Sequence, residues 1–173
     1  MSCRSKGILL VISGFAGTGK GTLVHEFEEM IRENRLIEYA SYVGNYYGTP
    51  KEYVQQQLEN GKDVILEIEI QGALKIKKQF PDTLLLFMVP PSASVLEERL
   101  RGRGTETDEV VRKRLHRAVE EAEFIEQYDY LIVNDDLETC VKETHEIIQS
   151  QHHRVDQRRQ FIDTLKEDLK RFL

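Results

Sequence analysis

The chain has no tryptophan, two cysteines and four prolines among 173 residues, and these scarcities remove whole classes of protein. Cys3 and Cys140 stand far apart, with no CxxC and no Cys/His spacing of the kind that holds zinc. A disulfide framework and a structural zinc site are therefore excluded, and a reducing compartment, most simply the cytoplasm, is expected. Apolar runs such as ILLVIS (8–13) are far too short to span a bilayer or to form the core of a signal peptide, so no membrane partner is expected. Basic residues are outnumbered, 24 Lys and Arg against 30 Asp and Glu, a net charge of −6 that argues against broad nucleic-acid binding. A small anionic ligand is still allowed, because backbone N–H groups, Lys and Arg can gather locally around phosphate. Repeats and low-complexity segments are absent too. With 40% hydrophobic and 31% charged residues the composition is globular, and the length suits one domain with small lids or inserts.

What is present alternates. GILLVIS (7–13), VILEIEI (64–70), TLLLFMV (83–89) and YLIV (130–133) are apolar runs rich in β-branched residues, and they predict buried strands. Between them TPKEYVQQQLENG, GALKIKKQF and SASVLEERLRG carry helical spacing. Thr49-Pro50 supplies a cap and a first-turn proline, Gly61 a C-cap, and Ser92 a cap after the Pro90-Pro91 break. Strands alternating with helices predict an α/β fold with a parallel sheet covered on both faces. The charged stretch 106–126, with Val110, Val111, Leu115, Ala118, Ala122 and Ile125 in a narrow stripe, is either a mobile lid arm or a solvated surface helix. Near the C-terminus Ile148, Val155, Ile162 and Leu169 recur every seven residues, with Leu165 and Phe172 as companions. This stripe is expected to serve as a homodimer contact or as one long docked helix. The adjacent His152 and His153 are expected to be ordinary helix residues and not metal ligands.

The strongest chemical signal is GFAGTGKGT (14–22), which follows a strand and opens a helix. It fits G-x-x-x-x-G-K, with Gly21 where Ser or Thr is usual and Thr22 immediately after. Glycines let backbone N–H groups turn toward phosphate oxygens, and the helix N-terminus adds a favourable dipole. Lys20 can reach terminal phosphates, and Thr22 can serve the Mg²⁺ coordination sphere. Glu67 and Glu69 project from the same face at the end of a strand, where an α/β sheet binds its ligands. Either could hold a base or Mg²⁺-bound water, or form a structural salt bridge. Arg99, Arg101, Arg103, Arg112, Arg114 and Arg117 surround the glycines at 102 and 104, a pattern that reads as a lid arriving over phosphates. YASYVGNYYGTP groups four tyrosines that could line a polar site with Glu38 or form an edge hairpin.

Together, GKGT, IEYASYVGNYYGT, LEIEIQGA, GRGTET and IVNDD, in this order, resemble the guanylate kinase family of P-loop nucleoside monophosphate kinases. The resemblance covers residues 7 to about 149. It implies a three-layer P-loop kinase fold, ATP as phosphoryl donor with Mg²⁺, and GMP, with dGMP beside it, as acceptor. It implies further that Gly14, Ala16, Gly17, Thr18, Gly19, Lys20, Gly21 and Thr22 hold ATP phosphates and metal, with Asn134 near the adenine. Arg103 and Arg114 would clamp the transferring phosphoryl group, making Lys20, Arg103 and Arg114 the catalytic set. Glu38 and Thr49 would read guanine, Tyr47 would touch the GMP phosphate, and Glu67 and Glu69 would lie on the GMP and magnesium side. The expected division is one domain: core 7–25 and 50–149, the remnant of a GMP-binding region at about 26–49, a lid at about 101–126, and a helical extension at 150–173.

One departure stands out. In the family a strand and a small GMP-binding subdomain follow the first helix, and here a few dozen residues are absent, with the seam near residues 26–29. Leu23, Phe27 and Ile31 keep helical spacing across it. Two readings are open: a true deletion, or a segment of a longer chain left out with the numbering closed over it. The second is preferred, since a deletion would remove a core strand and most of the grip on the GMP phosphate. Two rival functions follow, a catalytically inactive guanylate-kinase-like binding module and a kinase for another nucleoside monophosphate.

Overall fold

The computed structural model describes residues 6–32, 39–43, 51–102, 104 and 107–173. In chain order these form β1 (Leu9–Gly14), α1 (Lys20–Arg32), β2 (Tyr39–Val43), α2 (Lys51–Glu59), β3 (Asp63–Glu67), α3 (Ile70–Gln79), β4 (Leu84–Val89), α4 (Ala93–Gly102), α5 (Asp108–Ala122), β5 (Tyr130–Val133), α6 (Leu137–Gln151) and α7 (Arg159–Leu169). The strands make one parallel sheet in the order β2-β3-β1-β4-β5. Its register sets Leu10 beside Ile65 on one flank and Leu84 on the other.

The central strands β1, β3 and β4 are apolar on both faces because helices cover both, whereas β5, expected to be buried, is an edge strand that keeps only Ile132 buried. Ile8, Leu10, Ile12, Leu86, Met88 and Ile132 pack with Leu23, Val24 and Phe27 of α1 and Cys140, Val141 and Ile148 of α6. On the other face Leu9, Val11, Val64, Leu66 and Leu85 meet Val54 and Leu58 of α2 and Ala73 of α3. A third cluster joins α4 to α5 through Leu96, Leu100, Val111 and Ala118, and it rests on Phe15 and Ala16 of the loop after β1. The chain leaves β1 for β2 and β3 on one side, then crosses to β4 and β5 on the other. This reversal at β1 opens a crevice at the carboxyl edge, where the loops after β1, β3, β4 and β5 converge.

Several expectations need correction. The strand read as 64–70 ends at Glu67, and Ile70 is instead a buried first residue of α3. A short apolar run looks alike whether its last members continue a strand or begin a helix. Residues 39–43 form a parallel edge strand against β3, not an arm of a hairpin. The lid helix is shorter than 106–126: α5 stops at Ala122, and a 3₁₀ turn holds Ile125. The seven-residue repeat does not make one long helix. Ile148 is fully buried in α6, whereas Val155 lies in a separate turn and is 75% exposed. Across the seam, the given residues form one unbroken helix: α1 runs through Glu26 and Glu29 with Leu23, Val24 and Phe27 buried.

Candidate phosphate-binding active site

Tight packing of backbone against backbone forms the loop between β1 and α1. Gly14 has φ of 151°, and a Cβ on it would stand 2.1 Å from the Met88 carbonyl oxygen of β4. Gly19 has φ of 89°, and its Cβ would stand 2.5 Å from Asn134 Nδ2. Only glycine tolerates this combination of close approach and left-handed backbone. The Asn134 side chain donates to the Thr18 carbonyl at 2.7 Å, and the Arg99 guanidinium donates to the Asn134 carbonyl at 2.8 Å. The Thr18 hydroxyl closes the turn by donating to the Phe15 carbonyl at 3.0 Å. Asn134 thus pins the loop from β5, whatever further part it takes toward a base.

Lys20, the first residue of α1, donates from Nζ to the carbonyls of Gly14 at 2.9 Å and Phe15 at 3.0 Å. Its ammonium therefore stays at the mouth of the loop, held by neutral acceptors that a phosphate oxygen outcompetes by charge. Thr22 and Gly21 lie exposed in the same first turn. The Glu67 Oε2 atom lies 3.6 Å from where a Cβ on Gly21 would be, so a side chain at 21 would stand in ordinary van der Waals contact with this carboxylate. The structure thus brings Glu67 against the Lys20–Thr22 turn. The ends of β1 and β3 are tied by the Ser13 hydroxyl, which donates to the Ile68 carbonyl at 2.7 Å.

Glu69 takes a different course. It is the N-cap of α3 with no side-chain cap bond, and its carboxylate instead accepts from Arg117 of α5 at 3.1 Å. Arg117 also donates through Nε to Glu121 at 2.9 Å. Arg114, Arg117 and Glu121 are spaced to share one face of α5. Burial pushes the Glu121 carboxyl up; the charges of Arg117 and then Lys20 pull it down. Burial also holds the Tyr128 phenol at about 12, with the Ser13 hydroxyl opposing. Tyr128 stacks edge-on against Phe87, which meets Phe15 in the same manner, an aromatic floor beneath the site. Sequence reasoning missed Ser13, Glu121 and the separate part of Arg117. The only advance signal was the Arg117/Glu121 spacing of four on one helix.

Of the residues expected in the site, the structure brings together Gly14, Ala16, Gly17, Thr18, Gly19, Lys20, Gly21, Thr22, Asn134 and Glu67, with Glu69 linked to them through α5. Arg114 is half-buried on α5. Arg103, Glu38, Tyr47 and Thr49 lie outside the described residues, as does the Thr49-Pro50 cap. Among the described residues no group of three or more His, Cys, Asp or Glu is placed to hold a metal by itself.

The same chain matches the family model described as "Guanylate kinase" over residues 23–151. It is 42% identical to the guanylate kinase of Lactococcus lactis over 189 residues, covering 88% of this chain and 92% of that one. It is 40% identical to the guanylate kinase of Halalkalibacterium halodurans, covering 86% and 91%. Among solved structures, the guanylate kinase of Anaplasma phagocytophilum superposes with a TM-score of 0.63 at 24% identity, covering 89% and 90% and showing likeness of fold. Since 88% of 173 residues is about 152, roughly 37 of the 189 positions aligned with the L. lactis protein have no counterpart here. By sequence and by fold alike, this chain belongs to the guanylate kinase family.

Proposed function

We propose that this chain transfers the γ-phosphoryl group of ATP to GMP, giving ADP and GDP. The observation that carries this reading is the loop itself: glycine-built, pinned by Asn134, and ending in Lys20 beside Glu67. Phosphoryl transfer through a loose transition state needs positioning and charge stabilisation more than covalent chemistry. Backbone N–H groups of residues 14–22 would take the donor phosphates, and Lys20 would leave its two carbonyl acceptors for a terminal phosphate oxygen. Arg114 would approach from α5 with Arg103 to balance charge on the moving group and exclude water. Glu67 and Glu69 would face the acceptor, together with Glu38, Tyr47 and Thr49.

The donor set fits Mg²⁺. This hard cation takes oxygen ligands, keeps several waters and binds through one or two protein groups plus substrate phosphates. Thr22 and Glu67 would supply those oxygens. Bound there, the ion would offset charge on the phosphates. Solution in the cytoplasm is consistent with the lack, among the described residues, of a helix long and apolar enough to cross a membrane.

ADP release coupled to a dehydrogenase readout, with ATP and GMP present, tests the proposal. Turnover is expected with GMP and dGMP and to be far lower with AMP or UMP; Lys20→Ala should lower it by orders of magnitude. Near-normal turnover by that variant overturns the reading. The roughly 37 unmatched positions favour one rival, a module that binds a protein and transfers nothing. ADP release that is absent with every acceptor would select it.

A further inference from the structure

The Arg117 bridge is poor as a stabilising element. Its Glu69 partner is 63% exposed and Arg117 itself 56%, a setting in which ion pairs contribute about 0–1 kcal/mol. Its placement is more informative than its strength. Arg117 connects three parts of the cleft: α5, the β3–α3 junction through Glu69, and, through Glu121, the field of Lys20. Nucleotide substrates carry several negative charges, and Glu67, Glu69 and Glu121 set three carboxylates on the edge where they would bind. Two unscreened carboxylates beside an incoming phosphate would repel it. A planar guanidinium that engages one carboxylate through Nη2 and another through Nε fixes both and offsets their charge.

Within the phosphotransferase reading given above, on which this rests, we propose that Arg117 is a positioning residue for the acceptor nucleotide. It holds the Glu69 carboxylate toward the acceptor site and screens Glu69 and Glu121 from the acceptor's phosphate. It acts through Glu69 and not on the donor, whose loop is built by Gly14, Gly19, Lys20 and Asn134 without contribution from Arg117.

Steady-state kinetics of Arg117→Ala, Arg117→Lys, Glu69→Gln and the Glu69→Gln/Arg117→Ala double variant test this. Arg117→Ala should raise KM for GMP about tenfold, with KM for ATP changed less than twofold and the melting temperature unmoved. Arg117→Lys should recover part of the loss, and the double variant should be no worse than the poorer single one. Lys113→Ala, whose partner is Glu109 on the exposed side of α5, should leave both constants unchanged. An unchanged KM for GMP, an equal rise for both nucleotides, or additive losses in the double variant would overturn the proposal. Should the intact chain transfer no phosphate, the phosphotransferase reading fails by itself. GMP binding by equilibrium dialysis then decides: weaker binding by Arg117→Ala supports the positioning role, and equal binding or none contradicts it.

Discussion

The two edges of the sheet both collect charge, but they use it differently. At the amino edge Asp63 is buried, 8% exposed, and both its oxygens are committed. Oδ1 accepts the Ile8 N–H at 2.7 Å, and Oδ2 meets His152 Nε2 at 2.9 Å, joining β3, β1 and the end of α6. Nearby, Asp129 accepts the Leu85 N–H and the Lys77 ammonium, each at 2.8 Å, and Lys77 also donates to the Thr83 carbonyl. At the carboxyl edge Lys20 rests on two neutral carbonyls, and Arg117 and Glu69 stay more than half exposed. Charges locked to backbone hold strands together, whereas charges held by replaceable partners can pass to a ligand. The contrast, more than any single residue, assigns the carboxyl edge to chemistry and the amino edge to the fold.

Substitutions can break that contrast from either side. The largest effect is expected from Gly19→Ala, which puts a Cβ against Asn134 Nδ2 in left-handed backbone. Phosphoryl transfer should fall by about 100-fold or more, comparable to losing a charge-stabilising donor, while far-ultraviolet circular dichroism is unchanged. Asp63→Ala should do the reverse. It leaves the Ile8 N–H buried without an acceptor and His152 without its partner, which costs about 1–3 kcal/mol. Urea unfolding should show the lower midpoint, and turnover at low denaturant should match the parent chain.

Smaller effects sharpen the same division. Asn134→Ala removes the pin on the Thr18 carbonyl and should raise KM for ATP about tenfold, an order set by the loss of one buried hydrogen bond, with KM for GMP nearly constant. Cys140 is fully buried in α6, and burial pushes its thiol up to about 11. Its neutral form is the one the fold favours, so the fold loses stability as pH rises above the ordinary thiol value toward 11. Iodoacetamide at pH 8 should therefore leave the Cys140 peptide unmodified in folded protein and label it in urea, as peptide mass spectrometry would read.

Much of this arrangement was legible in the sequence, for physical reasons. A strand buried on both faces must be apolar throughout, so β1 and β4 declared themselves, whereas the equally apolar β5 is an edge strand with only Ile132 buried. The glycine-rich loop did too, because phosphate binding needs backbone that only glycine allows. Other parts were not legible because the pattern reports the capacity to bury a surface, not what covers it. Ile148 and Val155 are spaced alike, yet one is buried in α6 and the other exposed beyond it. In α7, Phe161, Leu165 and Leu169 remain exposed, and no residue of that helix is buried. Light scattering tests the homodimer contact expected of this stripe: a mass twice that of the chain would support it, and a monomer mass at every concentration would remove it. Arg117 was one of six arginines until its two carboxylate partners, 48 residues back and one turn on, came together in the fold.

The most direct test of the central claim is phosphorus NMR of the purified chain with ATP, GMP and Mg²⁺. The account predicts that the ATP γ-phosphorus signal decays while the β-phosphorus resonances of ADP and GDP grow in equal amounts, with no inorganic phosphate appearing. A γ signal that persists, or that converts to inorganic phosphate at a rate unaffected by GMP, would contradict it.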